Sequence, residues 1–102
     1  MIHVLAEIQL RMDALDAFIA AFADLTRLVR AEDGCIEYQG AVEIATNITA
    51  QSPVRETVFT VIEKWRDEDA LNAHLSALHM TEYRSQTTAL VVDTTIRVLR
   101  SI

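Results

Sequence analysis

The stretch Thr57 to Trp65, T-V-F-T-V-I-E-K-W, is apolar on both faces when read as a strand: Val58 and Ile62 point one way, Phe59, Val61 and Trp65 the other. A strand of that kind is covered on both sides. It runs into the turn acids Asp67, Glu68 and Asp69, after which apolar residues recur at helical spacing through Ala70, Leu71, His74, Leu75 and Leu78. The chain therefore needs a sheet, a helical layer on one face and some cover on the other. The segment Glu63 to Met80 lies where strand end and helix face meet, and it holds the only tryptophan, Trp65, with two of the three histidines, His74 and His79. That is where a small α+β domain places a pocket.

The remaining elements follow from the same reading. Ile2 to Leu10 lacks a breaker and is rich in aliphatic and β-branched residues, which predicts a strand with Ile2, Val4, Ala6, Ile8 and Leu10 on one face. Asp13 stands where an N-cap is needed, and Asp16 adds negative charge to the first turn of the helix that follows. Leu15, Phe18, Ile19, Phe22, Leu25 and Val29 form its apolar stripe, and the helix is expected to end near Glu32, closed by Gly34. Cys35 to Ala45 alternates as a second strand, with Gly40 marking a bulge or a close backbone approach. Thr46 to Glu56 has no periodicity and reads as the longest loop. Asp67 is the expected cap of the next helix, a further helical segment carries Met80, Tyr83, Thr87 and Leu90, and Asp93 to Arg100 closes the chain as a fourth strand.

The order β-α-β-β-α-β predicts a single domain over residues 1–102: an α+β, ferredoxin-like split fold with helices on one face of an antiparallel sheet. Two helical layers on one face leave the other open. In so short a chain the economical cover is a second copy related by two-fold symmetry, so a homodimer is expected.

Composition narrows the class of partner. A formal charge of −6, with basic residues scattered singly, offers no footprint for phosphate backbones and excludes nucleic acid as a partner. No apolar run reaches the ~18 to 20 residues of a spanning helix, so no membrane association is expected. Cys35 is the only cysteine and the first residues lack the pattern of a signal peptide, which together predict a reduced, cytoplasmic setting.

His74 and His79 lie five positions apart, off the one-turn spacing that puts two ligands on one helix face, so no metal site is expected. Gly34 and Gly40 belong to no phosphate-binding loop. Cys35 at the start of a strand reads as packing, since a nucleophilic cysteine needs a base and an electropositive setting. His74 shares a stripe with Leu71, Leu75 and Leu78, which leaves two readings: a buried imidazole held by a hydrogen bond, with Glu63 as the candidate partner, or a proton acceptor working near neutrality. Glu63 shares a strand face with Phe59 and Trp65 and needs a partner there. Trp65, Tyr38, Tyr83 and Met80 are core residues on the same reading, or the walls of a pocket.

Taken in order, V-L-A-E-I in the opening strand, E-D-G-C-I-E-Y from Glu32, I-E-K-W from Ile62, A-L-N-A-H-L from Ala70 and H-M-T-E-Y from His79 resemble the antibiotic biosynthesis monooxygenase superfamily, most closely its quinol monooxygenase branch. The resemblance implies a dimeric α+β barrel and oxidation of a phenolic or hydroquinone small molecule by O₂ to a quinone, with no flavin, haem or metal. It also implies roles: His74, Trp65 and Glu63 as the catalytic group, with His74 the base, and His79, Tyr83, Arg84, Tyr38 and Met80 around the substrate. Polyketide-tailoring members carry an asparagine four residues before the tryptophan, where this chain has Val61, and haem-degrading relatives carry one in the first strand, where this chain has none. Two other classes fit the same residues: an isomerase of a phosphorylated signalling sugar, and a non-catalytic dimer that binds a small ligand.

Overall fold

The computed structural model describes residues 1–102. Its elements are β1 (Ile2–Leu10), α1 (Leu15–Arg30), β2 (Cys35–Val42), β3 (Val58–Trp65), α2 (Glu68–Leu75), α3 (Leu78–Thr87), a 3₁₀ turn (Thr88–Leu90) and β4 (Val91–Arg100). The four strands form one antiparallel sheet in the order β2-β3-β1-β4, the ferredoxin-like arrangement expected. No helix is long and apolar enough to cross a membrane.

Strand alternation sets the core. Val4, Ala6, Ile8 and Leu10 of β1 and Phe59, Val61, Glu63 and Trp65 of β3 are buried on the face that carries the helices. Phe18, Phe22, Leu25 and Val29 of α1 lie on them, and Phe22 stacks against Tyr38 with ring centroids 5.5 Å apart. Gly40 fulfils the close-approach reading, because a Cβ there would come within 2.1 Å of the Phe59 ring. Its neighbours across the sheet are Val61 and, beyond it, Ala6. The Phe59 and Phe22 rings fill the space over Gly40, whereas Ala6 and Val61 line the room left beneath α3.

Four local expectations are corrected. Asp13 does not cap α1; it takes a left-handed φ of 65°, and Ala14 stands at the N-cap without a side-chain hydrogen bond. Gly34 is left-handed as expected, with φ 84°, but it shapes the turn into β2, since α1 has already ended at Arg30. Ile19 and Leu78 are exposed instead of joining the core. Finally, Cys35 pairs with Trp65 while Glu37 pairs with Lys64, so Ile36 is the extra residue of an irregularity and faces solvent. That slip places Tyr38 opposite Glu63.

The open face of the sheet is less apolar than expected. Leu5 and Ile62 are cross-strand partners there and Leu99 is exposed, but His3, Glu7, Thr60 and Lys64 share the surface. On the helical face, Ile96 and Val98 of β4 stay half-exposed because the helices stop short of that edge.

Candidate functional site

Beneath α3 the small residues of the sheet leave a cavity of about 350 Å³. Its floor is Ala6, Ile8, Val61 and Glu63, its roof comes from Met80, Tyr83 and Thr87 of α3, and its mouth opens beside Thr94 and Ile96 of β4. Phe18 and Tyr38 close two sides, and His74 enters from α2. The lining is mainly apolar, so each polar group that reaches it is conspicuous.

α2 starts where expected: Asp67 Oδ1 accepts from the Ala70 N–H at 2.8 Å. One turn further, His74 is carried inward and fully buried, with Trp65 beside it at a ring-centroid distance of 4.6 Å and Tyr38 edge-on at 5.5 Å. Its hydrogen-bond partner is not Glu63 but Glu32, in the turn after α1: His74 Nδ1 lies 2.9 Å from Glu32 Oε2. Because a carboxylate accepts, neutral His74 carries its proton on Nδ1, which leaves Nε2 with a free lone pair. Nε2 lies 3.9 Å from Glu63 Oε1, beyond hydrogen-bond distance. Burial holds the His74 imidazole below its ordinary value, while the Glu32 hydrogen bond works the other way.

Glu63 is buried and accepts from the Trp65 indole N–H at 2.9 Å. Burial raises its carboxyl to about 7, against the opposing effect of that hydrogen bond and with some help from the nearby charge of Glu32. Close to neutrality, therefore, Glu63 exists partly as the acid, able to donate through its other oxygen. Tyr83 presents a buried hydroxyl that has no partner in the protein. Burial pushes both the Tyr83 and Tyr38 phenols upward, so each remains a neutral donor.

Of the eight residues marked out in the sequence, Glu63, His74, Tyr38, Met80, Tyr83 and Arg84 line this cavity. Trp65 does not; it is fully buried behind His74 and Glu63, where it positions both. His79 also lies outside it, turned toward Glu32, with Nε2 2.8 Å from the same Oε2 that holds His74. Arg84 lines the wall while donating to the Leu75 carbonyl at 2.6 Å, which ties α3 to the end of α2. It is the only Arg or Lys in the lining, a sparse provision for a phosphate group. Glu32 was legible as part of E-D-G-C-I-E-Y but not as a partner of both histidines. A carboxylate just past a helix, with two histidines elsewhere lacking partners, was the only available signal.

Cys35 is partly buried, and burial together with the Glu32 and Glu63 charges raises its thiol, the opposite of what a nucleophile needs.

The model of the antibiotic biosynthesis monooxygenase family matches residues 1–86. Over 102 residues the chain is 31% identical to "Probable quinol monooxygenase YgiN" of Escherichia coli strain K12, covering 98% of this chain and 97% of that protein. Among solved structures, a crystal structure of an antibiotic biosynthesis monooxygenase superposes with a TM-score of 0.82 at 23% identity, covering 100% of this chain and 99% of the other. A conserved protein from Methanosarcina mazei Go1 gives a TM-score of 0.84 at 24% identity, covering 99% and 92%.

Proposed function

The chain belongs to the antibiotic biosynthesis monooxygenase family, and from that premise we propose that it oxidises a phenolic or hydroquinone small molecule with O₂ to a quinone, using no bound cofactor. The observation that carries the reading is His74: buried, held by Glu32 through Nδ1, and free at Nε2 on the wall of a mainly apolar cavity.

The chemistry asks little else of the protein. His74 Nε2 takes the proton of a substrate hydroxyl, and the electron-rich phenolate passes one electron to O₂. The aryloxyl radical and superoxide recombine at a ring carbon that bears hydrogen. Loss of that hydrogen with one oxygen as water leaves the new carbonyl, so one oxygen atom enters the product, the other leaves as water, and no external reductant is consumed. Glu63 as the acid and the Tyr83 hydroxyl are the donors available to the developing oxyanion, and an apolar cavity strengthens both. Trp65 acts through its neighbours by fixing the Glu63 carboxyl and flanking the His74 ring. Met80 and Tyr38 hold the aromatic plane.

The protein acts as a homodimer in this reading. The sheet has no helices on one face, and Leu5, Ile62 and Leu99 gain cover when a second copy is placed against it. Light scattering at low micromolar protein is expected to give twice the chain mass; the mass of one chain at all concentrations would remove the dimer.

Oxygen uptake with a panel of hydroquinones, corrected for autoxidation, tests the activity. Binding without oxygen consumption would instead leave a ligand-binding protein. A rise in melting temperature specific to phosphorylated sugars would favour the isomerase.

A further inference from the structure

Glu32 Oε2 accepts from two imidazoles at once, His74 Nδ1 at 2.9 Å and His79 Nε2 at 2.8 Å, and the three atoms lie within 4.8 Å of one another. We infer that Glu32, His74 and His79 form a site for a zinc-class divalent cation, and that its occupation switches off the base function of His74.

Two imidazoles and one carboxylate are the ligands of open zinc sites, in which water takes the fourth position. Tetrahedral donors about 2.1 Å from the ion lie roughly 3.4 Å from each other. The two hydrogen-bond distances therefore need to widen by about half an ångström, and the two nitrogens, up to 4.8 Å apart, need to draw closer. His79 supplies that freedom, being the second residue of α3 with a side chain 23% exposed, whereas the His74 side chain is 2% exposed.

The surroundings hold two of these ligands in place. Glu32 sits in a defined turn, its N–H donating to Val29 and its carbonyl accepting from the Cys35 N–H. The His74 ring is flanked by Trp65 and Tyr38, so two of the three ligands are oriented before any ion arrives. Neither Glu32 nor His79 lines the main cavity, and both are partly exposed, so an ion reaches this cluster without passing the substrate.

The inhibitory consequence follows from the imidazole itself. A neutral ring that ligates through Nδ1 carries its proton on Nε2. Nε2, which lies on the side of the cavity-lining Glu63, then becomes a donor and can no longer accept a proton. This consequence rests on His74 being the base proposed above, whereas the ion site does not.

Zinc titrated calorimetrically into metal-free protein tests the site, with Glu32→Gln and His79→Ala alongside and the fold of each checked by circular dichroism. One zinc per chain is expected, at least tenfold weaker in each variant. In the unsubstituted protein, long-range ¹H–¹⁵N spectra of the histidine rings should show His74 moving from the Nδ1–H to the Nε2–H form as zinc is added. This readout needs neither a variant nor an activity. No zinc uptake at micromolar concentration, or uptake unchanged in both variants, overturns the site. Zinc bound with the His74 tautomer unchanged, or with turnover of an active enzyme undiminished, overturns the switch.

Discussion

Glu32 and His74 lie 42 positions apart in the chain and meet at 2.9 Å, so the turn after α1 determines which nitrogen of the α2 histidine carries the proton. The tautomer of the proposed base is therefore set by a residue that never touches the substrate.

Replacing Glu32 by Gln keeps the side-chain volume but removes the charge that favours the Nδ1–H tautomer and stabilises the ring as it gains a proton. Loss of the hydrogen bond that orients a metal-ligating histidine costs about 10- to 100-fold, and a loss of the same order is expected for the hydrogen bond that orients His74. Metal-free Glu32→Gln should lose kcat by roughly that factor with KM changed by less than about threefold. Steady-state kinetics with EDTA present measure both. An equal loss through KM alone would place Glu32 in binding instead.

Tyr83 separates stability from function. Its hydroxyl is buried with no protein partner, so Tyr83→Phe removes a polar group that contributes no internal hydrogen bond. The melting temperature should hold or rise, by up to about 1 kcal/mol of stability, while kcat/KM for a hydroquinone falls. Thermal melts and kinetics on one preparation check the pair; a clear loss of stability would mean that the hydroxyl supports the fold.

Glu63 gives a pH signature. Its carboxyl titrates near 7 in the folded protein against an ordinary 4.5, so between those values the folded chain keeps a proton that the unfolded chain has lost. The stability this group supplies is fully present below 4.5 and is lost as pH rises through about 7. The side-chain amide introduced by Glu63→Gln has no such titration but can still accept from the Trp65 N–H. The stability of Glu63→Gln relative to the parent should therefore climb between pH 4.5 and about 7, by on the order of 3 kcal/mol. Buried His74 works in the opposite direction, losing stability as pH falls, and it cancels because both proteins retain it. Denaturant melts across that range in metal-free buffer check this; a flat difference would mean that Glu63 is ionised throughout.

The sequence was informative wherever one period decides burial. The alternation of β1 and β3 and the Asp67 cap of α2 appear in the structure as read, and the element order follows from them. It was misleading where a local irregularity intervened. The slip at Ile36 breaks the alternation of β2, and the left-handed Asp13 shifts the start of α1, and neither leaves a pattern in residue types. The cavity residues on β3 and α3 were legible because they sit on apolar stripes. The pairing of His74 and His79 was not, because helical spacing was applied across Ser76 and Ala77, where α2 has ended and α3 has yet to begin. Glu32 was missed for the related reason that its contacts come from remote parts of the chain.

Oxygen consumption by metal-free protein with a naphthohydroquinone-type substrate, measured for the parent and for His74→Ala, bears most directly on the proposed activity. The expected result is uptake well above autoxidation, one O₂ per quinone formed, no turnover under anaerobic conditions, and at least a roughly 100-fold fall in His74→Ala, at the low end of what a lost general base costs. Turnover without oxygen, or oxygen uptake unchanged in His74→Ala, would contradict it.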